Sequence, residues 1–229
     1  MNYFFSRIKR VSFFDILQIW KLLICYIPAL VYKKTHTPFW IISEAPSEAR
    51  DNGYWLFKYI RSKHPEQPCV YAIKRNSPDY QKVNDLGPVV EHGSLRHWFL
   101  YLSADKIISS QKAMGPNAAI CNFLEVYGFL KNERYFLQHG VVANDLKWLY
   151  YNATKFTKFF CGAYPEYRFV SDVFGYPKGK VQYTGLCRYD GLHSKKNRER
   201  MVLIMPTWRE WIADEDGRLK RYEGTNKEI

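Results

Sequence analysis

Residues 135–146 read YFLQHGVVANDL, and this stretch carries the clearest signal for both the fold and the site. An apolar run of three residues ends on a glutamine, a histidine and a glycine, and a polar turn follows. A short run that is apolar on both faces is typical of a strand buried in a parallel sheet. The abrupt change to polar residues predicts that this strand ends at a functional surface.

Six further runs have the same character as this strand. With the first one, they predict strands at 39–43, 69–73, 88–91, 106–110, 134–138, 158–163 and 180–185. Strands of this kind that alternate with helices indicate an α/β fold with a parallel sheet and right-handed crossovers. Ligands bind at the carboxyl ends of such strands. The histidine and glycine at 139 and 140 therefore lie where a site is expected.

Mixed segments between the strands predict the connecting helices. They lie at 49–64, 94–104 and 165–176, whereas 76–87 is predicted as a polar turn. Asp51 or Asn52 is predicted to cap the first of these helices, because short polar side chains satisfy the free N–H groups of a helix start.

The composition is that of a folded, basic protein. The chain has 229 residues, of which 47% are hydrophobic, and its formal net charge is +12. This charge favours a polyanionic partner: nucleic acid, an anionic membrane surface or a phosphorylated substrate. Nucleic acid is disfavoured, because the basic residues are spread along the chain and no binding module is recognisable.

Neither the cysteines nor the histidines have the spacing of a metal site. The five cysteines are widely separated and include no Cys-x-x-Cys pair, which argues against zinc and against a disulfide framework. The sequence also contains no Walker loop, G-x-S-x-G or G-x-G-x-x-G motif. We therefore expect neither a metal nor a cofactor.

Residues 13–32 are the most hydrophobic part of the chain. Their uncharged portion, 22–32, is shorter than the ~20 residues that a spanning helix needs, and no signal-peptide cleavage site is present. Basic and aromatic side chains surround it, as in a helix that lies among lipid headgroups. A helix buried against the domain is an alternative, and a single span is a third interpretation. We expect residues 1–36 to attach the protein peripherally to the anionic cytoplasmic face of the cell membrane.

His139 is the first candidate for chemistry. An imidazole is a general base near neutral pH, and the adjoining glycine lets a ligand approach closely. Its neighbours Gln138, Gly140, Asn144 and Asp145 are predicted to bind substrate. The alternative is that His139 only makes a structural hydrogen bond at the end of the strand.

Two later segments also follow predicted strands. Gly185, Arg188 and Asp190 are predicted to form a hinge in which the arginine pairs with the aspartate. Thr207 and Arg209 are suited to bind phosphate, because a hydroxyl and a guanidinium both donate to phosphate oxygens. A surface ion pair is the alternative for Arg209.

The charged segment 191–200 is predicted to be a linker between domains. It separates a Rossmann-like lobe, 37–190, from an apolar strand that opens a second lobe, 201–229. The remaining residues are too few to form a second α/β domain with its own core, so we expect most of the second lobe to be missing from this polypeptide.

Four segments in series resemble the CDP-glycerol glycerophosphotransferase family of teichoic-acid primases and polymerases. They are DNGYWLFKYI, FLQHGVVANDL, TGLCRYDGL and LIMPTWR, and the resemblance covers about residues 38–210. It implies a peripheral membrane enzyme of two-lobed GT-B architecture. Such an enzyme transfers glycerol phosphate from CDP-glycerol, or a related CDP-polyol, to a hydroxyl of a lipid-linked polymer acceptor and releases CMP. It also implies that His139 is the base and that Arg209, with Thr207, helps to hold the donor pyrophosphate.

The chain departs from the family pattern at three points. Gln138 stands where many members have tryptophan, and Cys187 stands where proline is usual. The chain also ends before the second-lobe histidine and Asp-Ser-Ser region that grip the nucleotide in the family. We therefore expect this polypeptide to be inactive or nearly so by itself, either as a truncated copy or as half of a split enzyme whose partner is a separate second-lobe chain. Two alternatives stay open: a GT-B glycosyltransferase lobe that uses a sugar nucleotide, and a non-enzymatic, membrane-docked remnant.

Overall fold

The computed structural model describes residues 13–194. These residues include most of the predicted membrane helix and the whole predicted Rossmann-like lobe, 37–190. The predictions for Thr207, for Arg209, for most of the 191–200 linker and for the second-lobe segment 201–229 lie outside the described residues.

The predicted α/β class with a parallel sheet is confirmed. Within residues 13–194, one sheet has the strand order β3-β2-β1-β4-β5-β6-β7, and every neighbouring pair is parallel. The strands are β1 Trp40–Ser43, β2 Cys69–Ile73, β3 Val89–Glu91, β4 Lys106–Ser109, β5 Glu133–Phe136, β6 Lys158–Cys161 and β7 Val181–Tyr183. Each of them coincides with a predicted run. Strands β4 to β7 end one or two residues before the predicted bounds, where the chain turns away from the sheet.

The α-helices of the described part are α1 Phe13–Ile16, α2 Ile19–Thr35, α3 Asn52–Lys63, α4 Tyr80–Asn84, α5 Leu95–Ser103, α6 Ala118–Val126, α7 Tyr151–Thr154 and α8 Tyr164–Val173. The three predicted helices correspond to α3, α5 and α8. The predicted cap of α3 is confirmed, because Oδ1 of Asp51 accepts a hydrogen bond from the N–H of Asn52 at 2.8 Å.

Two connecting segments differ from the prediction. Residues 76–87, predicted as a turn, contain α4, which is helical because it buries Val83 in the core. No element was predicted at 111–133, where α6 lies. The start of α6 carries a local signal, because Oδ1 of Asn117 accepts a hydrogen bond from the N–H of Ile120 at 2.9 Å.

The helices cover the sheet in two layers. Alternate side chains of each strand point to opposite faces. Phe57 of α3 lies in the core of one face with Tyr71 of β2, whereas Trp98 of α5 lies in the core of the other with Ile41 of β1. The strand order reverses between β1 and β4, so the connections on either side diverge and leave a crevice at the carboxyl ends of these strands.

Helix α2 packs on α5 along one stripe and leaves the opposite stripe exposed. Cys25 and Ala29 are buried in the core. At the two ends of the contact, Nζ of Lys21 donates to the carbonyl of Gly93 at 2.8 Å and Nζ of Lys33 donates to the carbonyl of Ala104 at 2.9 Å. The exposed stripe is apolar and includes Leu23, Ile27 and Val31, which are 69%, 63% and 61% exposed. Among the described residues, no helix has the length and apolarity required to cross a bilayer.

His97 of α5 is hydrogen-bonded to Gly93 at one end of this contact, and it predicts that the stability of the fold depends on pH. His97 is fully buried, and its Nδ1 accepts a hydrogen bond from the N–H of Gly93 at 3.1 Å. Burial, and secondarily the neighbouring His92, holds the pKa of His97 well below 6.5. Because the unfolded chain binds this proton more readily, the stabilisation is complete above about pH 6.5 and is lost as the pH falls, by at most about 1.4 kcal/mol per pH unit.

We therefore expect urea denaturation to show a lower free energy of unfolding at pH 5.5 than at pH 7.5. His97→Gln retains an acceptor for Gly93 and should flatten this dependence, whereas His64→Gln, at an exposed site, should leave it unchanged. An unaltered pH dependence in His97→Gln would contradict the assignment.

Candidate active site at the carboxyl edge of the sheet

The ring of His139 lies at the carboxyl edge of the sheet, three residues after the end of β5, and the residue is exposed. Its Nδ1 is 3.0 Å from the carbonyl oxygen of Ser110, the residue that follows β4. A carbonyl oxygen can only accept, so Nδ1 carries the hydrogen and the lone pair is on Nε2. The fold therefore fixes one tautomer and presents its basic nitrogen at the edge where ligands bind in such sheets.

Gln138 determines the backbone conformation immediately before His139. Its φ of 66° lies in the left-handed region, which is uncommon for a residue with a Cβ. The side chain is buried, with Nε2 donating to Glu166 at 3.3 Å and Oε1 accepting from the N–H of His139 at 3.3 Å. Both ends of the amide are used inside the protein, so we interpret Gln138 as a positioning residue.

Glu166 connects the loop after β5 to the turn after β6. It lies in the first turn of α8 and is buried. Its carboxylate accepts from the N–H groups of Gly162 at 2.7 Å and Val142 at 2.8 Å, in addition to Gln138. A buried carboxylate is stable here because N–H donors surround it. Glu166 was not predicted from the sequence, because its one signal, an acidic residue at a helix start, is common.

Glu44 is a second buried carboxylate that accepts backbone N–H groups, here at the start of α3. Its carboxylate is buried and accepts from the N–H groups of Arg50 at 2.8 Å, Asp51 at 3.1 Å and Tyr54 at 2.6 Å. Burial raises the pKa of Glu44, and these N–H groups partly offset the effect. The first helix N-terminus of a doubly wound sheet is a common position for a bound phosphate. Here the protein's own carboxylate occupies it.

The predicted pairing of Arg188 with Asp190 was wrong. Nη1 of Arg188 donates to Oδ1 of Asp51 at 2.8 Å and to the carbonyl of His139 at 2.8 Å. Asp190 is exposed in the 3₁₀ segment Cys187–Ser194. Gly185 has a φ of 79°, a left-handed conformation that favours glycine and brings the chain back over α3.

The other described residues predicted to bind substrate, Gly140, Asn144 and Asp145, follow His139 within the next six positions of the chain. Asn144 and Asp145 are exposed, and Gly140 has open space where a Cβ would stand. The Asp145 carboxylate pairs with Lys147 at 2.5 Å and accepts from the hydroxyl of Tyr150 at 2.8 Å. These two hydrogen bonds lower the pKa of Asp145. In residues 13–194, no group of three or more His, Cys, Asp or Glu side chains is arranged to hold a metal ion.

Comparison with known proteins identifies the family. Residues 25–225 match the family model described as CDP-glycerol:poly(glycerophosphate) glycerophosphotransferase. The chain belongs to this family.

Relatives of this glycerophosphotransferase-family chain act in teichoic-acid synthesis. It is 34% identical over 180 residues to the minor teichoic acid biosynthesis protein GgaB of Bacillus subtilis (strain 168), a match that spans 77% of this chain and 20% of GgaB. A solved structure of the wall teichoic acid polymerase TagF is similar in fold, with a TM-score of 0.51 and 13% identity over 77% of this chain and 49% of that one. A second TagF structure has a TM-score of 0.51 and 11% identity, covering 82% and 51%.

The glycerophosphotransferase-family chain thus spans about a fifth of GgaB and about half of TagF. The family assignment agrees with the resemblance found in the sequence. The fold likeness agrees with the predicted Rossmann-like lobe.

Proposed function

We propose that this chain is the acceptor-side lobe of an enzyme that transfers glycerol phosphate from CDP-glycerol to a hydroxyl of a lipid-linked polymer. The proposal depends on one observation: His139 is exposed with Nδ1 bound to the Ser110 carbonyl, so that Nε2 is free to take a proton. The family assignment supports CDP-glycerol as the donor. The similarity to a teichoic acid biosynthesis protein supports a role in that synthesis.

The proposed reaction needs one base and one leaving group. The acceptor hydroxyl gives its proton to Nε2 of His139 while its oxygen attacks the phosphorus that carries glycerol. The new P–O bond forms as the bond between this phosphorus and the bridging oxygen of the pyrophosphate breaks, and CMP departs with that oxygen. General-base assistance of this kind contributes about 10²- to 10⁴-fold to a rate.

Glu44 supports the assignment of this lobe to the acceptor. A pyrophosphate at the start of α3 would meet the carboxylate that already accepts three N–H groups there. Like charges at hydrogen-bond distance repel strongly in a buried position. The donor phosphates are therefore proposed to bind outside this turn.

Binding of a soluble acceptor tests this proposal without the donor. We expect a short glycerol phosphate oligomer to shift the ¹⁵N NMR signals of the His139 ring in the 229-residue chain. CDP-glycerol and a UDP-sugar serve as comparisons. A larger response to the UDP-sugar would favour the glycosyltransferase alternative, and no response to any of them would contradict an acceptor site at His139.

We also propose that the exposed stripe of α2 attaches this lobe to the cytoplasmic face of the cell membrane. The stripe presents large apolar side chains, among them Leu23, Ile27 and Val31. Lys34 lies in the last turn of the same helix, is exposed and can contact anionic headgroups. A peripheral helix of this kind would hold His139 near a lipid-linked substrate.

Vesicle sedimentation measures this attachment. Leu23→Glu with Ile27→Glu removes two apolar contacts worth about 1.5–3 kcal/mol each, so we expect at least a tenfold loss of binding to vesicles that contain anionic lipid. Val173→Glu changes an exposed apolar residue of α8 and should bind like the unmodified chain. Equal binding by the double variant would contradict the attachment.

A further inference from the structure

We infer that Asn52, together with Arg188, is a positioning residue that sets the tautomer and orientation of His139. The importance of this role for catalysis rests on the proposed function, but its effect on the tautomer of the His139 ring can be measured separately. Asn52 lies at the first position of α3, far from His139 in sequence, and its side chain is completely buried.

Every polar atom of the Asn52 amide has a partner at the site. Its Nδ2 donates to the carbonyl of Gln138 at 2.6 Å and to that of Leu137 at 3.4 Å. Its Oδ1 accepts from the N–H of Arg188 at 3.1 Å. The amide thus joins the end of the β5 strand to the 3₁₀ segment that follows β7.

Arg188 completes the connection from the other side of His139. Its guanidinium donates to the His139 carbonyl and to Asp51 through the same nitrogen, each at 2.8 Å. The two peptide groups that flank the Cα of His139 are therefore each held through their carbonyl by a donor that depends on the start of α3. One donor contacts the carbonyl of each residue.

The backbone of this segment needs such support. Gln138 occupies the left-handed region, which is strained for a side chain with a Cβ. If the Asn52 donor is lost, the peptide can relax toward a more common conformation. The ring of His139 then moves relative to the Ser110 carbonyl, and the hydrogen bond that fixes Nδ1–H weakens.

The chain offers closely matched variants for a test. Asn52→Asp retains the acceptor for Arg188 but replaces the Nδ2 donor by an oxygen that faces the Gln138 carbonyl. Arg188→Lys retains a positive charge but cannot keep the planar geometry of the guanidinium. Arg50→Lys is the control, because Arg50 lies beside the same helix start and pairs with Asp79 at 2.7 Å, away from His139.

The measurement is the ¹⁵N NMR spectrum of the His139 ring in the full 229-residue chain, assigned with His139→Gln, together with urea denaturation of each variant. We expect the ratio of the Nδ1–H to the Nε2–H form to fall about fivefold or more in Asn52→Asp and in Arg188→Lys. Arg50→Lys should leave the ratio unchanged.

Three outcomes are distinguishable. A reduced ratio in both variants, with an unchanged control, supports the inference. Reduced stability with an unchanged ratio shows that the two residues act only structurally and overturns it. If the ratio falls as expected but the glycerol phosphate oligomer does not perturb His139 in the unmodified chain, the positioning role stands and the proposed function fails.

Discussion

Replacing His139 by glutamine is expected to lower the rate of CMP release from CDP-glycerol by about 10²- to 10⁴-fold. Glutamine retains a side-chain N–H for the Ser110 carbonyl but has no nitrogen lone pair to accept the proton of the acceptor hydroxyl. The assay uses residues 1–229 joined to the second lobe of a family member, so that both substrates can bind. The effect should appear in kcat, with the KM for CDP-glycerol little changed, because the donor is proposed to bind elsewhere.

Two controls make this result specific. His64→Gln alters another exposed histidine, which caps the opposite end of α3 from the site, and should retain full activity. Circular dichroism should show the same melting temperature for His139→Gln as for the unmodified protein. Loss of activity by less than about threefold in His139→Gln would show that this imidazole is not the base.

Breaking the buried ion pair between Arg134 and Glu125 is expected to have the largest effect on stability. The two side chains are 2.8 Å apart and almost completely buried, and the hydroxyl of Tyr101 also donates to the carboxylate. Burial raises the pKa of Glu125, and the charge of Arg134 partly offsets this. Glu125→Leu leaves the guanidinium buried with only the Lys155 carbonyl as a hydrogen-bond partner in the described structure. We expect a loss of about 3–5 kcal/mol in the free energy of unfolding.

A second variant distinguishes the ion pair from its surroundings. Replacing both partners, as in Glu125→Leu with Arg134→Met, removes the unpaired charge and should recover most of the lost stability. Glu133→Gln breaks the exposed ion pair in which the Glu133 carboxylate lies 3.5 Å from Nζ of Lys106. This change should lower the free energy of unfolding by at most about 1 kcal/mol. A double variant as unstable as Glu125→Leu would show that packing, rather than charge, determines the loss.

The sheet could be predicted from the sequence because its strands are short, apolar on both faces and separated by polar segments. Phe136 and Phe159, for example, are buried where the apolar runs predict. The position of His139 followed from the same pattern, since residues after a parallel strand lie at its carboxyl edge. Helix α6 was missed, although its start carries a local signal, the cap at Asn117, and its buried residues Cys121, Leu124 and Glu125 recur at helical spacing.

The partners of the site residues could not be predicted. Arg188 has an aspartate two residues away in sequence, yet it pairs with Asp51, which is 137 residues away. Only the path of the chain over α3 determines that choice. Glu44 and Glu166 have the same character: each is a buried carboxylate satisfied mainly by backbone N–H groups, and no residue pattern shows which N–H groups will converge.

A crystal structure of the chain with a soluble analogue of the lipid-linked acceptor tests most directly whether His139 is the base. We expect the terminal hydroxyl oxygen of the analogue to lie about 2.6–3.2 Å from Nε2 of His139, with Nδ1 still bound to the Ser110 carbonyl. A bound acceptor whose hydroxyl contacts neither ring nitrogen, or whose binding leaves Nε2 covered by another protein group, would contradict it.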